Sequence, residues 1–112
     1  MIVREYVRGD ESCPFREWFD GLDSQAATKV TTATLRLEAG NTSNVKWLGG
    51  GVAEYKIDWG PGYRLYLTQD GDTLIILFTG GTKNRQQTDI EWARTLLAEY
   101  KVRKAAKPKG GK

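Results

Sequence analysis

The chain has 112 residues, with 17 lysines and arginines, 14 aspartates and glutamates, no histidine and a single cysteine. This length favours one domain with a core of its own. The lone Cys13 excludes an intramolecular disulfide and favours a reducing, cytoplasmic location. Residues 1–5 are charged too early for a signal peptide, and no apolar run approaches the roughly 18 residues of a membrane span. With no histidine and scattered carboxylates, neither a metal nor a cofactor is expected.

Charge is distributed unevenly along the chain. Residues 1–50 carry 6 basic and 7 acidic side chains, whereas residues 51–112 carry 11 basic and 7 acidic ones. The last twelve residues include six basic side chains and no acidic one. A basic C-terminal half favours a polyanionic partner such as nucleic acid, the alternative being a solvated tail. A single domain over residues 1–104 is predicted, followed by a disordered basic tail over residues 105–112.

The N-terminal half predicts one strand and two helices. Residues 2–7 alternate weakly and predict a first strand. A helix is expected to begin at Pro14, in the first turn, where its missing N–H costs nothing, and to end at Gly21. Asp23 or Ser24 can cap a second helix that ends near Gly40. Two successive helices predict a helical hairpin that packs on a sheet.

The C-terminal half predicts a β-meander and a final helix. Residues 52–59 alternate, Gly60-Pro61-Gly62 turns the chain, and residues 63–69 and 73–79 form two further strands. Residues 45–48 are compatible with one more short strand. Gly80-Gly81 is expected to end the sheet, and Thr88 to begin a capping box for a helix that ends at about Lys104. The order β-α-α-β-β-β-α predicts an α+β domain with a small antiparallel sheet.

The turn lengths also predict a register for the first hairpin. If Trp59 lies opposite Tyr63, then Asp58 lies opposite Arg64 and Lys56 lies opposite Tyr66. One face of the sheet is then apolar. The other face is expected to present basic and aromatic side chains suited to a phosphate backbone: Lys56, Arg64, Tyr66 and Phe78.

Two segments resemble a known family of proteins. They are G-G-G-V-A-E-Y-K-I-D-W-G-P-G-Y-R-L-Y at 49–66 and G-G-T-K-N-R-Q-Q-T-D-I at 80–90. Both are similar to the RelE/ParE toxin superfamily, and more narrowly to its HigB-like, "addiction module killer" branch. The resemblance covers roughly residues 2–103. It implies a RelE-like, microbial-RNase-type α+β fold and the toxin of a type II toxin–antitoxin system.

The resemblance also implies roles for particular residues. Lys56, Arg64 and one of Lys83 or Arg85 match basic positions of RelE enzymes, and Asp89 falls near the place of a late catalytic tyrosine that this chain lacks. Asp58 stands where those enzymes have a second lysine. The candidate catalytic residues are therefore Lys56, Arg64, Lys83 and Asp89, and the candidate RNA-binding residues are Asp58, Tyr66, Phe78 and Arg85. The general base is open between Lys56, Asp58 and Asp89.

The implied activity is metal-independent endoribonuclease cleavage of mRNA in the ribosomal A site, which would inhibit translation (an mRNA interferase). The implied partners are mRNA, the ribosome and a cognate antitoxin, with a toxin–antitoxin heterotetramer as one assembly. Two alternatives stay open at this point. One is a ParE-like toxin that poisons DNA gyrase, and the other is a catalytically degenerate module that only binds an antitoxin.

Overall fold

The computed structural model describes residues 1–106 as three layers, with a five-stranded sheet between two groups of helices. No helix in this part of the chain combines the length and apolar character needed to cross a bilayer. The elements, in chain order, are strand β1 (Ile2–Glu5), helices α1 (Pro14–Asp20) and α2 (Ser24–Glu38), strands β2 (Val45–Gly49), β3 (Val52–Ile57), β4 (Tyr63–Asp70) and β5 (Leu74–Thr82), a 3-10 turn (Lys83–Arg85), and helix α3 (Gln86–Ala106).

The α+β prediction is confirmed, but the sheet is mixed rather than antiparallel. Its order is β1-β5-β4-β3-β2, and β1 pairs with β5 in parallel while the other three pairs are antiparallel. A parallel pair needs a crossover rather than a tight turn, and here the crossover comprises most of the chain. β2 is the strand that the predicted order omitted.

The two helical layers follow from the alternation of the strands. One face of the sheet packs on α1 and α2 around Phe15, Leu37, Tyr55, Leu65 and Leu77. The other face packs on α3 through a second apolar cluster that contains Tyr66, Phe78 and Leu96. The predicted assignment of the side chains of β3 and β4 to the two faces of the sheet is therefore confirmed. The second face, expected to be open, is largely covered by α3.

The predicted register of the first hairpin is wrong by two residues. Lys56 lies opposite Arg64 and Glu54 opposite Tyr66, whereas Asp58 lies beyond the end of β3. The connection is longer than the sequence suggested, because residues 58–62 all belong to the turn, and Gly62 N–H donates to Trp59 O at 3.0 Å. A shift of two residues leaves each side chain on its expected face, since side chains alternate with a period of two.

The glycines at 80–81 do not end the sheet, and β5 continues through them to Thr82. A Cβ at Gly80 would stand 2.3 Å from the Trp18 ring, and a Cβ at Gly81 would stand 1.8 Å from Asp89 Oδ2. These glycines therefore allow close packing from both sides of the sheet and do not mark a turn.

The ends of α3 also differ from their prediction. The helix begins at Gln86, directly after the 3-10 turn, so Thr88 lies inside it and caps nothing. At the other end the helix continues through Ala105 to Ala106, which the predicted tail had included. The remainder of that predicted tail, residues 107–112, lies outside the described residues.

Candidate functional site

Four of the predicted basic residues lie at one corner of the molecule, where β3, β4 and the start of α3 meet. Lys56 and Arg64 are directly paired across β3 and β4. Lys83 N–H donates to Gly62 O at 3.0 Å, which holds the 3-10 turn against the β3–β4 turn, and Arg85 ends that 3-10 turn. We call Lys56, Arg64, Lys83 and Arg85 the cationic corner.

The four cations of the corner differ in exposure. The side chains of Lys56 and Arg85 are 54% and 67% exposed, and Lys83 is also exposed. The Arg64 side chain is only 8% exposed, with its Nε 3.4 Å from Oε1 of the buried Glu54. Three solvated cations thus surround one arginine that is held in the protein by a buried acid.

Glu54 was not among the predicted site residues, although it lies two positions before Lys56 on the same face of β3. Its Oε1 accepts a hydrogen bond from Gln86 Nε2 at 3.1 Å, in the first turn of α3. Glu54 therefore links the arginine of β4 to the start of the last helix. The sequence signal for Glu54 was its position two residues before the candidate Lys56, which places both side chains on the same face of a strand.

Asp89, in the first turn of α3, lies against the backbone of β5. Arg64 is paired with Gly81 across β4 and β5, and the Asp89 carboxyl occupies the space that a side chain at Gly81 would need. Burial raises the pKa of Asp89 above its ordinary value, and Arg85, whose Nε lies 3.8 Å from Asp89 Oδ1, opposes this shift. The sequence named Asp89 as a candidate but gave no sign of its burial.

Three buried polar atoms of this region have no hydrogen-bond partner among the described residues: Arg64 Nε, Tyr66 Oη and Asp89 Oδ2. Burial, and the nearby Glu54 and Asp89 carboxylates, raise the pKa of Tyr66 so that its hydroxyl keeps its proton. Buried polar groups in native proteins are nearly always paired, either with other protein groups or with ordered water. All three atoms belong to the junction of β4 with α3.

The candidate RNA-binding residues do not form one surface. Tyr66 and Phe78 are fully buried beneath α3, so neither ring is accessible for stacking on a base. Asp58 is 87% exposed, and its Oδ1 lies 3.9 Å from Lys56 Nζ rather than opposite Arg64. Arg85 is the fourth of these residues and lies in the cationic corner. Within residues 1–106, no group of three or more carboxylate or cysteine side chains is arranged to hold a metal ion.

No protein-family model matches the chain. A protein of Haemophilus influenzae is 37% identical to it over 86 residues, which cover 76% of this chain and 87% of that protein. The chain belongs to the same family as this Haemophilus protein. The Haemophilus protein is described only as "uncharacterized", so membership of its family carries no activity with it.

Proposed function

We propose that the protein is the toxin of a type II toxin–antitoxin system and that it cleaves mRNA on the ribosome in the cytoplasm. The observation that carries the proposal is the direct pairing of Lys56 with Arg64, beside Lys83 and Arg85. Like charges directly opposite each other destabilise a sheet. The buried Glu54 lies against the arginine, whereas Lys56 has only the exposed Asp58, 3.9 Å from its Nζ. Such an arrangement favours an anionic ligand that lies against both cations.

The resemblance to RelE and HigB-like toxins identifies that anion as the phosphate backbone of RNA. In that reading the domain has the RelE-like, microbial-RNase-type fold. Arg64 contacts the phosphate through its guanidinium, which suits bidentate binding of phosphate oxygens. Lys56 and Lys83 add positive charge where the phosphorane develops. Removing one such preorganised contact typically costs about 2.7–4 kcal/mol of activation free energy.

The proton transfers fall to Asp58 and Asp89, because Glu54, the third carboxylate near the corner, lies against Arg64 and Gln86. Cleavage requires a base for the 2′-hydroxyl and an acid for the departing 5′-oxygen. Asp58 is the accessible carboxylate beside Lys56, which suits it to accept a proton. Asp89, whose pKa is raised by burial, retains a proton more readily than an ordinary aspartate and is suited to donate one. Asp89 has to become accessible to substrate for this role.

The ribosome supplies what this site lacks. General acid–base catalysis contributes roughly 10²–10⁴-fold, and with no histidine it is incompletely supplied here. Binding in the A site would hold the mRNA close to its reactive geometry and so supply orientation. We therefore propose little cleavage of naked RNA. A cognate antitoxin, bound over the cationic corner or the N-terminal helices, would silence the free toxin.

One observation favours a second candidate, the binding module without nuclease activity. Arg64 is almost completely buried and lies against Glu54, as a purely structural ion pair would. A phosphate that reaches its guanidinium has to approach from the small exposed part of the side chain. The ParE-like reading shares this feature, because poisoning gyrase does not require an accessible catalytic arginine.

A purified translation system tests the proposal directly. Primer extension on a translated mRNA should show cleavage within or between codons when wild-type protein is present, and none when the ribosome is omitted. The double variant Lys56→Ala, Lys83→Ala should abolish cleavage without unfolding, because both side chains are exposed. The matched control is Arg4→Gln on β1, an exposed arginine at the opposite edge of the sheet.

Three outcomes would contradict the proposal. Intact mRNA with the wild-type protein would show that it is not a nuclease, and inhibition of gyrase in a separate DNA-supercoiling assay would place it in the gyrase-poisoning class. Cleavage by the double variant at the wild-type rate would show that the exposed lysines of the cationic corner take no part in the reaction.

A further inference from the structure

A second positively charged groove lies on the other side of Lys56, between α2 and the end of β3. It encloses about 320 Å³ and is lined on the helix side by Thr28, Lys29, Thr32 and Arg36. Thr28, Thr32 and Arg36 recur every four positions and Lys29 stands three positions before Thr32, so all four lie on one side of α2. The strand side of the groove includes Lys56, Asp58 and Trp59.

Trp59 supplies this groove with an aromatic surface. Its indole is stacked on the buried Tyr63, with ring centroids 6.2 Å apart and planes 21° apart, so the core supports the ring from inside. Lys29 Nζ lies over the same indole, 5.7 Å from its centroid. The ring is partly exposed and also lines the neighbouring cavity formed with Ser24 and Gln25.

The groove reaches the cationic corner at Lys56. A smaller cavity of about 290 Å³ joins it, and the two cavities share Asn44, Lys56 and Asp58. The second cavity adds Lys46 and reaches Glu54, the partner of Arg64. A path lined by cations therefore runs from Trp59 to the buried acid, with Asp58 as the one exposed carboxylate among its lining residues.

From these features we propose that the groove between α2 and β3 binds single-stranded nucleic acid, with one base stacked on Trp59 and the backbone held by Lys29, Arg36 and Lys56. The combination of a cationic track with an exposed aromatic ring is the arrangement that single-strand-binding proteins use. A stacked base is worth more than a solvent-exposed cation–π contact, so an entering base displaces Lys29 from the ring. The displaced ammonium remains beside the groove, where it can pair with a phosphate.

The inference rests on the proposed function only in expecting the strand to be RNA. If so, the groove holds the nucleotides that flank the scissile phosphate, which lies at the cationic corner. Duplex nucleic acid fits the groove less well, because its bases are already stacked on one another and none is free for Trp59.

Fluorescence anisotropy with a labelled twelve-nucleotide RNA of unpaired sequence tests the groove without the ribosome. The wild-type protein should bind, and Trp59→Ala should weaken binding about tenfold while Trp59→Phe stays within about threefold. The matched control is Trp47→Ala, which removes a 52% exposed tryptophan from β2 outside the groove and should leave affinity unchanged. Thermal denaturation followed by circular dichroism verifies that each variant is folded.

A second variant does not depend on the aromatic ring. Arg36→Gln replaces an exposed side chain, so the fold should be retained. It should lower the slope of log affinity against log salt by about 0.7, the value for one lost contact with a single strand. An unchanged slope would remove Arg36 from the groove's contacts with the backbone.

The remaining outcomes separate the groove from the proposed function. Absence of RNA binding by the wild-type protein, tighter binding of a duplex, or equal losses in Trp47→Ala and Trp59→Ala would each overturn the groove. Displacement of the RNA by polyglutamate at equal charge, with no effect of Trp59→Ala, would assign the groove to an acidic polypeptide instead. Binding of RNA by a protein that leaves translated mRNA intact would support the groove and overturn the nuclease proposal.

Discussion

The two ends of α3 pack on the same face of the sheet, yet their polar groups differ in burial and in hydrogen bonding. At the C-terminal end, Glu99 accepts hydrogen bonds from Tyr6 Oη at 2.7 Å and from Arg8 Nε and Nη2 at 3.1 and 2.9 Å. Nearby, Asp70 accepts from Tyr100 Oη and is paired with Lys104 at 2.7 Å. Tyr6 is buried and Lys104 is exposed, the other groups are partly buried, and each of them has a partner.

At the N-terminal end the polar groups are more deeply buried and less well paired. Arg64, Tyr66 and Asp89 each contribute a buried atom that lacks a hydrogen-bond partner within residues 1–106. Unsatisfied buried groups cost stability, whereas satisfied networks make a structure rigid. The comparison indicates that polar contacts fasten the C-terminal end of the helix to the sheet, whereas the N-terminal end lacks such a network among the described residues.

The largest expected difference between the two ends comes from removing an arginine. Arg64→Ala leaves Glu54 buried without its cation, and breaking a buried pair in this way costs about 3–5 kcal/mol of unfolding free energy. Arg8→Ala at the other end should cost much less, because its partner Glu99 keeps the Tyr6 hydrogen bond and some solvent. Urea denaturation of both variants measures the difference, and equal losses would contradict the comparison.

The close contact between Gly81 and Asp89 should produce the next largest effect. Gly81→Ala places a methyl group where Asp89 Oδ2 now lies, and overpacking of this kind costs about 1–3 kcal/mol. In an Asp89→Ala background the same substitution should cost much less, because the carboxyl that it strikes is gone. A double-mutant cycle measures this coupling. Additive losses would show that Gly81 is required for some other reason.

Two tyrosines give a matched pair of smaller effects. Tyr6→Phe removes a hydroxyl that donates to Glu99 and should cost about 0.5–1.5 kcal/mol. Tyr66→Phe removes a buried hydroxyl with no partner in the described part of the chain, so stability should stay the same or rise. Thermal denaturation compares the two. A large loss of stability in Tyr66→Phe would show that its hydroxyl is paired in solution.

The smallest expected effect is on the pH dependence of stability, where Asp89 and Asp70 should contribute with opposite signs. Burial raises the pKa of Asp89 in the folded protein, so its carboxyl contributes stability below its unfolded pKa of about 3.8 and loses that contribution as pH rises through the folded value. Lys104 and Tyr100 lower the pKa of Asp70, so that contribution is present above the unfolded pKa and is lost as pH falls through the folded value.

Asparagine variants at the two positions isolate these opposite trends. As pH rises from 3 to 7, Asp89→Asn should gain stability relative to the wild type, whereas Asp70→Asn should lose it. Melting temperatures measured at several pH values provide the comparison. Parallel trends in the two variants would show that Asp89 is not destabilised by its burial.

Much of the fold was predictable because it depends on local patterns. The alternation of β3 and β4 assigned their faces correctly, and Pro14 and Asp23 marked the starts of α1 and α2, with Asp23 Oδ1 accepting from Ala26 N–H at 2.8 Å. The parallel pairing of β1 with β5 was not predictable, because no local pattern encodes which distant strand a strand will join.

The basic residues of the candidate site were predictable, but their pairing and burial were not. Lys56, Arg64, Lys83 and Arg85 do meet at one corner, but the predicted register placed the wrong residue opposite Arg64, because the turn length could not be read from Gly60-Pro61-Gly62 alone. The burial of Tyr66 and Phe78 depends on α3 crossing that face of the sheet, which is a tertiary contact. The sequence favoured a strand-surface position for Glu54, and its burial was missed for the same reason, since it depends on contact with Gln86 at the start of α3.

The pairing of β1 with β5 has a consequence for how the newly made chain folds. Ile2 pairs with Leu74 and Glu5 with Leu77, so the first strand has no neighbour until β5 has been synthesised. Contacts between residues so far apart in sequence slow folding, because a long loop must close before they form. During synthesis the apolar surfaces of β1, α1 and α2 therefore stay exposed until the strands of the second half of the chain have been made.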